Sequence, residues 1–273
     1  MPELPEVETV VRLLKKLVVG ETINGLEIHW NNIIAHPEIS EFRAKIIGQE
    51  MLDVERRGKY IIFKLSDGNL VSHLRMEGKY YVYDQAVDKD KHSHVIITFA
   101  SGKEMHYNDT RKFGKMYLYE KDEDLAILSK IGYEPWDPKL TADALMEQAA
   151  RRSISIKAFL LDQAVIAGIG NIYVNEILFE AELHPEQPVN TIGKAKYAEI
   201  IKYTQAILEA AIEAGGTTIR SYTSSLGVTG LFQQSLHVHN RENETCATCG
   251  SIIEKIRVAQ RGTYLCPKCQ PLK

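Results

Sequence analysis

The sequence predicts an α+β fold: a leading helix with a β-rich front part, a helical rear part, and a short terminal β-hairpin stapled by metal. Three observations predict it. Residues 22–119 hold short β-branched or aromatic runs parted by turn signals such as Asp67-Gly68 and Ser101-Gly102. Residues 141–214 instead carry apolar side chains at helical spacing. The four cysteines fall in two Cys-x-x-Cys pairs, Cys246/Cys249 and Cys266/Cys269, parted by sixteen residues. That spacing suits one tetrahedral, all-thiolate structural zinc better than disulfides and leaves no open coordination position for catalysis.

Composition sets the outer bounds. With 273 residues, 44% hydrophobic and 25% charged, the chain is long enough for two globular domains. No apolar run approaches the roughly eighteen residues that span a bilayer, and the first residues lack a secretion leader. The expected address is the cytoplasm, a reducing compartment that matches cysteines kept for metal. A net charge of -3 does not mark a binder of polyanions, so any such site must come from local basic clusters.

The first element is a helix over 6–19, because Val7, Val10, Val11, Leu14, Leu17 and Val18 recur at steps of three and four before Gly20. Ahead of it stands Met1-Pro2-Glu3-Leu4-Pro5-Glu6. Removal of Met1, usual before a small residue, leaves a secondary amine beside a carboxylate. An α-amino group titrates near 7.7–8.0, so part of it is nucleophilic at neutral pH. Such an amine attacks an aldehyde carbon to give an iminium, an electron sink with a permanent charge. The same residues also suit a stiff, acidic helix start.

The β runs lie at 22–30, 51–55, 60–65, 70–74, 79–83, 94–99, 103–107 and 115–119, and an antiparallel sandwich or barrel is their natural packing. Three turns carry unusual charge: Arg56-Arg57-Gly58-Lys59, His73-Leu74-Arg75-Met76-Glu77-Gly78, and the basic loop 108–115. Each also reads as a solvated turn. Phe113 is the harder case, since a large aromatic between Lys112 and Gly114 suits a wedge pushed between stacked bases while cations hold phosphates. Met76 suits the same task.

Residues 121–150 turn helical, and Pro135-Trp136-Asp137-Pro138 is the strongest linker signal. Further helices are expected over 154–163, 171–181 and 194–214. The connector Gly168-Ile169-Gly170-Asn171 permits a tight double turn, either a phosphate site at a helix N-terminus or simply a compact joint. Residues 215–230, rich in Gly, Ser and Thr, read as a mobile functional loop. Between the cysteine pairs, Lys255, Arg257 and Arg261 lie among β-formers, so a basic hairpin is expected.

Taken together, Pro2-Glu3-Leu4-Pro5-Glu6, Arg57-Gly58-Lys59, the 73–78 turn, Asp109 to Gly114, Gly168 to Tyr173 and the four-cysteine finger resemble bacterial formamidopyrimidine-DNA glycosylase, in the same order and over the whole chain. The resemblance implies a β-sandwich with a leading helix over 1–134, a linker at 135–138, a helix-two-turns-helix domain over 139–236 with a lesion loop near 215–230, and a zinc finger over 237–273. DNA would bind in the cleft between the sandwich and the helical domain. Members of the family excise 8-oxoguanine and formamidopyrimidines, then nick the strand by β,δ-elimination. The implied partner is double-stranded DNA with oxidised purines or abasic sites, the protein acting as a monomer with one structural Zn2+ and no organic cofactor.

By the same resemblance Pro2 is the nucleophile, Glu3 the acid, Lys59 a lysine near the lesion, and Arg261 a phosphate-binding residue of the last elimination. Met76, Arg111 and Phe113 resemble the side chains that fill the gap left by the flipped base. His73, His92, Arg152, Lys157, Asn171 and Tyr173 look like DNA-binding positions, and Thr217, Thr218, Arg220 and Tyr222 belong to the lesion loop. The chain departs from the family pattern at Val238-His239-Asn240-Arg241, where relatives commonly have Val-Tyr-Gly-Arg, and at Ser221, where an acidic residue is common. Two rivals remain at this point. A sister glycosylase of the endonuclease VIII type would favour oxidised pyrimidines, against which Leu4 and the Met76-Arg111-Phe113 set speak. A non-catalytic zinc-finger DNA binder would not need Pro2, Glu3 and Lys59 together.

Overall fold

The computed structural model describes residues 1–217 and 230–273. The chain forms two compact units, Met1–Ser129 with Gly215–Gly230, and Lys130–Ala214 with Leu231–Lys273.

The first unit begins with α1 (Leu4–Val18), whose buried face is Leu4, Val7, Val10, Val11, Leu14 and Val18. Its start is fixed by a reciprocal capping box between Glu3 and Glu6, with Pro5 in the first turn where its missing N–H goes unmissed. Val19 caps the other end and Gly20, at φ +85°, turns the chain away. Strands β1 (Ile23–Ile28), β2 (Ile34–His36), β3 (Met51–Arg57), β4 (Tyr60–Leu65), β5 (Gly68–His73), β6 (Lys79–Tyr83), β7 (Ser93–Phe99), β8 (Glu104–Asn108) and β9 (Lys115–Tyr119) follow, with the short α2 (Ile39–Ile46) between β2 and β3. They form a four-stranded sheet, β1-β7-β8-β6, and a five-stranded sheet, β2-β9-β5-β4-β3. All pairs are antiparallel except β2 with β9.

One core joins both sheets to α1 and α2, from Val7 and Leu14 through Phe42 and Phe63 to Ile97 and Met116. Central β5 is buried along its whole length because its second face, at Val71, is covered with Ile62 and Tyr119 by Leu125, Ile127 and Leu128. A strand shielded on both faces loses the apolar-polar alternation of a half-exposed one. Neither β2 nor α2 is legible in the sequence, since three residues have no period and α2 buries only Phe42 and Ile46. The helical pattern of 121–150 is only partly realised. Only a 3-10 turn, Ala126–Leu128, precedes α3 there, because Gly132 and Tyr133 donate their amides to Gln163 and Val165 instead of continuing a helix.

The second unit holds α3 (Ala142–Ala149), α4 (Ile156–Leu161), α5 (Asn171–Glu180) and α6 (Lys194–Glu213), then the hairpin β10 (Glu254–Val258) and β11 (Arg261–Leu265). Thr141 and Ser155 cap α3 and α4 with their hydroxyls. The two turns from α4 to α5 are knitted by Gln163, whose carbonyl oxygen accepts the Gly168 amide while its NH2 donates to the Leu161 and Ile169 carbonyls. Helix α5 is buried on nearly all sides, Ile172 to Phe179, and forms the axis of this unit.

Candidate active site and nucleic-acid interface

Pro2 is buried and Glu3 is 2% exposed, so the first residues are packed. The Glu3 amide donates to Glu6 Oε2 at 2.9 Å. The other oxygen, Glu6 Oε1, accepts the Thr217 amide at 2.8 Å and its hydroxyl at 3.0 Å. Gly216, at φ +79°, passes so near that a Cβ there would sit 2.8 Å from Glu6 Oε1. Only glycine suits both that torsion and that approach. One buried carboxylate thus holds Glu3 and the root of the 215–230 segment. Thr218, Arg220 and Tyr222 of the expected lesion loop lie outside the described residues.

Lys59 occupies the turn from β3 to β4 and is buried. Arg56 secures this turn to α1, its Nε donating to Glu8 Oε2 at 2.9 Å and its Nη1 to the Gly58 carbonyl at 3.0 Å. His73 ends β5, with Tyr60 edge-on at 4.5 Å, and its Nδ1 accepts the Arg75 amide at 2.9 Å. Burial, reinforced by the charges of Arg75 and Lys59, depresses its pKa to about 3. His73 is neutral at pH 7.

Met76 and Phe113 are exposed apolar side chains, 37% and 48%. Their loops are held from below. Asp109, fully buried, accepts the Arg111 amide on Oδ1 at 3.0 Å and the Phe113 and Gly114 amides on Oδ2 at 2.9 and 2.8 Å. The Tyr107 side chain fills the space beside Gly78 and Gly114, where a Cβ would collide with its hydroxyl. Above this base the Arg111 guanidinium stands 4.7 Å from the Phe113 ring centre, and Lys112 lies over Trp30 at 4.3 Å. Arg75 and Lys112 both take left-handed backbone, φ 55° and 58°, strain that persists only where the surroundings enforce it. Met76, Phe113, Trp30, Arg75, Lys112 and Lys115 line a groove of about 520 Å³. His92 is half-buried, its carbonyl accepting the Asp109 amide at 3.0 Å. Exposed Met76 and Phe113 are expected from the sequence, whereas Asp109 and Tyr107, which support their loops, and Glu6, which holds the start of α1, carry no signal there.

In the second unit the positions divide. Arg152 is exposed, 3.7 Å from Asp162 and over the Phe159 ring at 5.6 Å. Arg261 is exposed at the start of β11, and Asn171 begins α5, its NH2 donating to the Gly262 carbonyl at 3.0 Å. Lys157 and Tyr173 depart from the expectation that they contact DNA directly. Both are fully buried. The Lys157 ammonium donates to Asn175 Oδ1 at 2.9 Å, Thr263 Oγ1 at 2.8 Å and the Gly262 carbonyl at 3.3 Å. Its three protons are taken, so none is left for a phosphate. Tyr173 is an interior ring beside Phe232. Neither burial is legible in a sequence, because lysine and tyrosine at a helix start are usually at the surface.

The sulfurs of Cys246, Cys249, Cys266 and Cys269 lie within 4.8 Å of one another. Cys249 and Cys266 are 3.4 Å apart and Cys246 and Cys269 4.0 Å. Four Zn–S bonds of 2.3 Å in a tetrahedron require S···S distances of about 3.8 Å, whereas a disulfide requires about 2.05 Å. The set fits one structural zinc. The Ser251 hydrogen bonds bring the Cys249 thiol down to about 6, and burial pushes Cys266 and Cys269 up. The cation is what makes all four thiolates.

The chain is similar to known proteins along nearly its whole length. Residues 1–116 match the formamidopyrimidine-DNA glycosylase N-terminal domain, 131–223 the formamidopyrimidine-DNA glycosylase H2TH domain, and 243–272 the zinc finger found in FPG and IleRS. The chain is 46% identical to formamidopyrimidine-DNA glycosylase of Bacillus licheniformis over 273 residues, 99% of each chain. It is 44% identical to that of Cytobacillus firmus, over 99% of this chain and all of the other. Among solved structures it superposes on a Lactococcus lactis FPG mutant bound to Fapy-dG-containing DNA with a TM-score of 0.93 at 38% identity, covering 99% of this chain and 100% of that one. A complex of MutM with carbocyclic 8-oxo-G-containing DNA gives 0.92 at 38% identity with the same coverage.

Proposed function

Because this chain belongs to the formamidopyrimidine-DNA glycosylase family, we propose that it excises oxidised purines, 8-oxoguanine and formamidopyrimidines, from duplex DNA and then cuts the strand at the same site. The observation that carries the reading is the buried Pro2-Glu3 start of α1, locked by Glu6. A nucleophile needs such fixed presentation, since misplacement by an ångström forfeits much of its advantage.

In the proposed sequence Met1 is first removed. The free Pro2 nitrogen forms a bond to C1′ while the C1′–base bond breaks and the base leaves with its electron pair, gaining a proton. Glu3 protonates the ring oxygen as the C1′–O4′ bond opens, leaving an iminium between Pro2 and C1′. The iminium acidifies the C2′ proton; its loss expels the 3′ phosphate, and a second elimination expels the 5′ phosphate. Water then releases the amine. Lys59, beside the neutral His73, supplies positive charge near the reacting sugar. Flipping the base exposes C1′, and Met76, Arg111 and Phe113 fill the gap.

Arg261, Arg152, Asn171 and His92 are assigned to backbone phosphates, which position the duplex without reading its sequence. The four cysteines hold a structural zinc, whose contribution is to stiffen the Arg261 hairpin. Among the described residues no helix is long and apolar enough to cross a membrane. The proposed address is the bacterial cytoplasm with the nucleoid, and the proposed working form is a monomer. The test is a single-turnover assay on a duplex with 8-oxoguanine opposite cytosine. Free base and a one-nucleotide gap with phosphate on both ends are expected; binding without release of base would point to the non-catalytic alternative.

A further inference from the structure

Behind Arg261 lies a buried polar chain whose proton assignments are forced one by one. The Lys157 ammonium can only donate, so the oxygen of Asn175, 2.9 Å away, accepts. The Asn175 NH2 therefore faces His239 Nδ1, at 2.7 Å. Nδ1 must then be an unprotonated acceptor, which puts the single imidazole proton on Nε2. The ring is 6% exposed and stands edge-on to Tyr264 of β11 at 5.1 Å. Burial, with the charge of Lys157 next in effect, brings its pKa down to about 4, in agreement with a neutral ring. The backbone of this segment is fixed as well: the buried Glu176 carboxylate accepts the amides of His237, Val238 and His239 at 2.6, 3.1 and 2.8 Å.

At its other end the chain reaches the hairpin tip. Lys157 holds the Gly262 carbonyl and Thr263 hydroxyl, and Asn171 holds the same carbonyl. The tip requires outside support. Val258 pairs with Arg261 across two linking residues, Ala259 and Gln260, at φ 48° and 60°. A two-residue turn with both φ positive favours Asn-Gly, and a side chain at either position is strained by its Cβ against the following carbonyl oxygen.

We propose that His239 is a positioning residue for Arg261: its Nδ1 orients Asn175, which aims its oxygen at Lys157, which fixes the strained tip from which Arg261 projects. The proposal rests on the reading that Arg261 binds a DNA phosphate. Nothing in the zinc site substitutes for this chain, since the cysteines secure the far ends of the strands and Lys157 secures the turn.

Two measurements on the intact zinc-loaded protein test it. Nitrogen NMR of the His239 ring at neutral pH should find the proton on Nε2 and an acceptor Nδ1; a proton on Nδ1 overturns the proposal even if no variant folds. Affinity for a duplex carrying a tetrahydrofuran abasic analogue, at fixed salt, should fall about tenfold in H239F, which keeps a ring against Tyr264 but no acceptor. H239N, whose Oδ1 occupies the place of Nδ1, should bind within about twofold of the parent. R261A should be at least as weak as H239F, and the double variant no more than about twofold weaker than R261A. If R261A binds as tightly as the parent, the phosphate reading of Arg261 fails and the proposal falls with it. If R261A is weak while H239F is not, or if the two losses add in full, only the relay is wrong.

Discussion

Glu6 Oε1 accepts both the amide and the hydroxyl of Thr217, although 211 positions separate the two residues. Its second oxygen holds the Glu3 amide, so the start of α1 and the root of the 215–230 segment share one carboxylate. Glu6→Ala removes all three acceptor contacts and should lower stability by about 2 kcal/mol, with slower excision from lesion duplex. Gly216→Ala should act in the same direction, because its Cβ meets Glu6 Oε1 at 2.8 Å in a left-handed backbone. Denaturant midpoints and single-turnover rates report both, and unchanged values for either variant would mean that the link is incidental.

Asp109 holds the Arg111–Gly114 loop much as Glu6 holds the start of α1. Asp109→Asn puts an NH2 group against N–H donors of Arg111, Phe113 or Gly114 and should destabilise the sandwich by about 3 kcal/mol. Phe113→Ala should leave the melt unchanged while lowering excision from duplex DNA. Equal single-turnover rates for Phe113→Ala and parent would reject the wedge.

His73 predicts an acid limb in the stability curve. Its folded pKa, about 3, lies below the ordinary 6.5, so between these values the unfolded chain binds the extra proton. The stabilisation is complete above pH 6.5 and drains as pH falls toward 3, with a slope of up to about 1.4 kcal/mol per pH unit from this residue. His73→Gln should flatten that limb in urea melts at pH 7, 5.5 and 4.5. A parent and variant that lose stability in parallel would place the proton uptake elsewhere.

Removing zinc should weaken DNA binding while the β-sandwich keeps its fold, and Cys249→Ser should do the same with less than one zinc per chain. Elemental analysis of the parent should return one. A metal-free parent that binds DNA at full strength would contradict the role given to the finger.

Much of this architecture was legible in one dimension, for reasons specific to its parts. The period of Val7, Val10 and Leu14 marked α1, and the cysteine spacing marked the metal set, because each is a local pattern. Phe113 and Met76 stood out because large apolar residues in turns have no core to enter. The supports were invisible. Glu6, Asp109 and Glu176 act by accepting backbone amides, a use that leaves no preference for the residue at the other end. Lys157 is named as a DNA-binding position by the resemblance, and its burial is hidden because two of its acceptors, Gly262 and Thr263, meet it only after the hairpin folds back, more than a hundred positions later.

The central claim is that the Pro2 nitrogen forms the covalent link to DNA, and borohydride trapping tests it most directly. Met1-free protein mixed with a duplex carrying 8-oxoguanine opposite cytosine, then reduced, should give a stable one-to-one adduct. Peptide mapping should place the adduct on Pro2. Pro2→Gly should trap poorly, since a primary amine must shed a further proton and lacks the ring that sets its direction. No adduct from protein that still releases the base, or an adduct mapped to Lys59, would contradict the account.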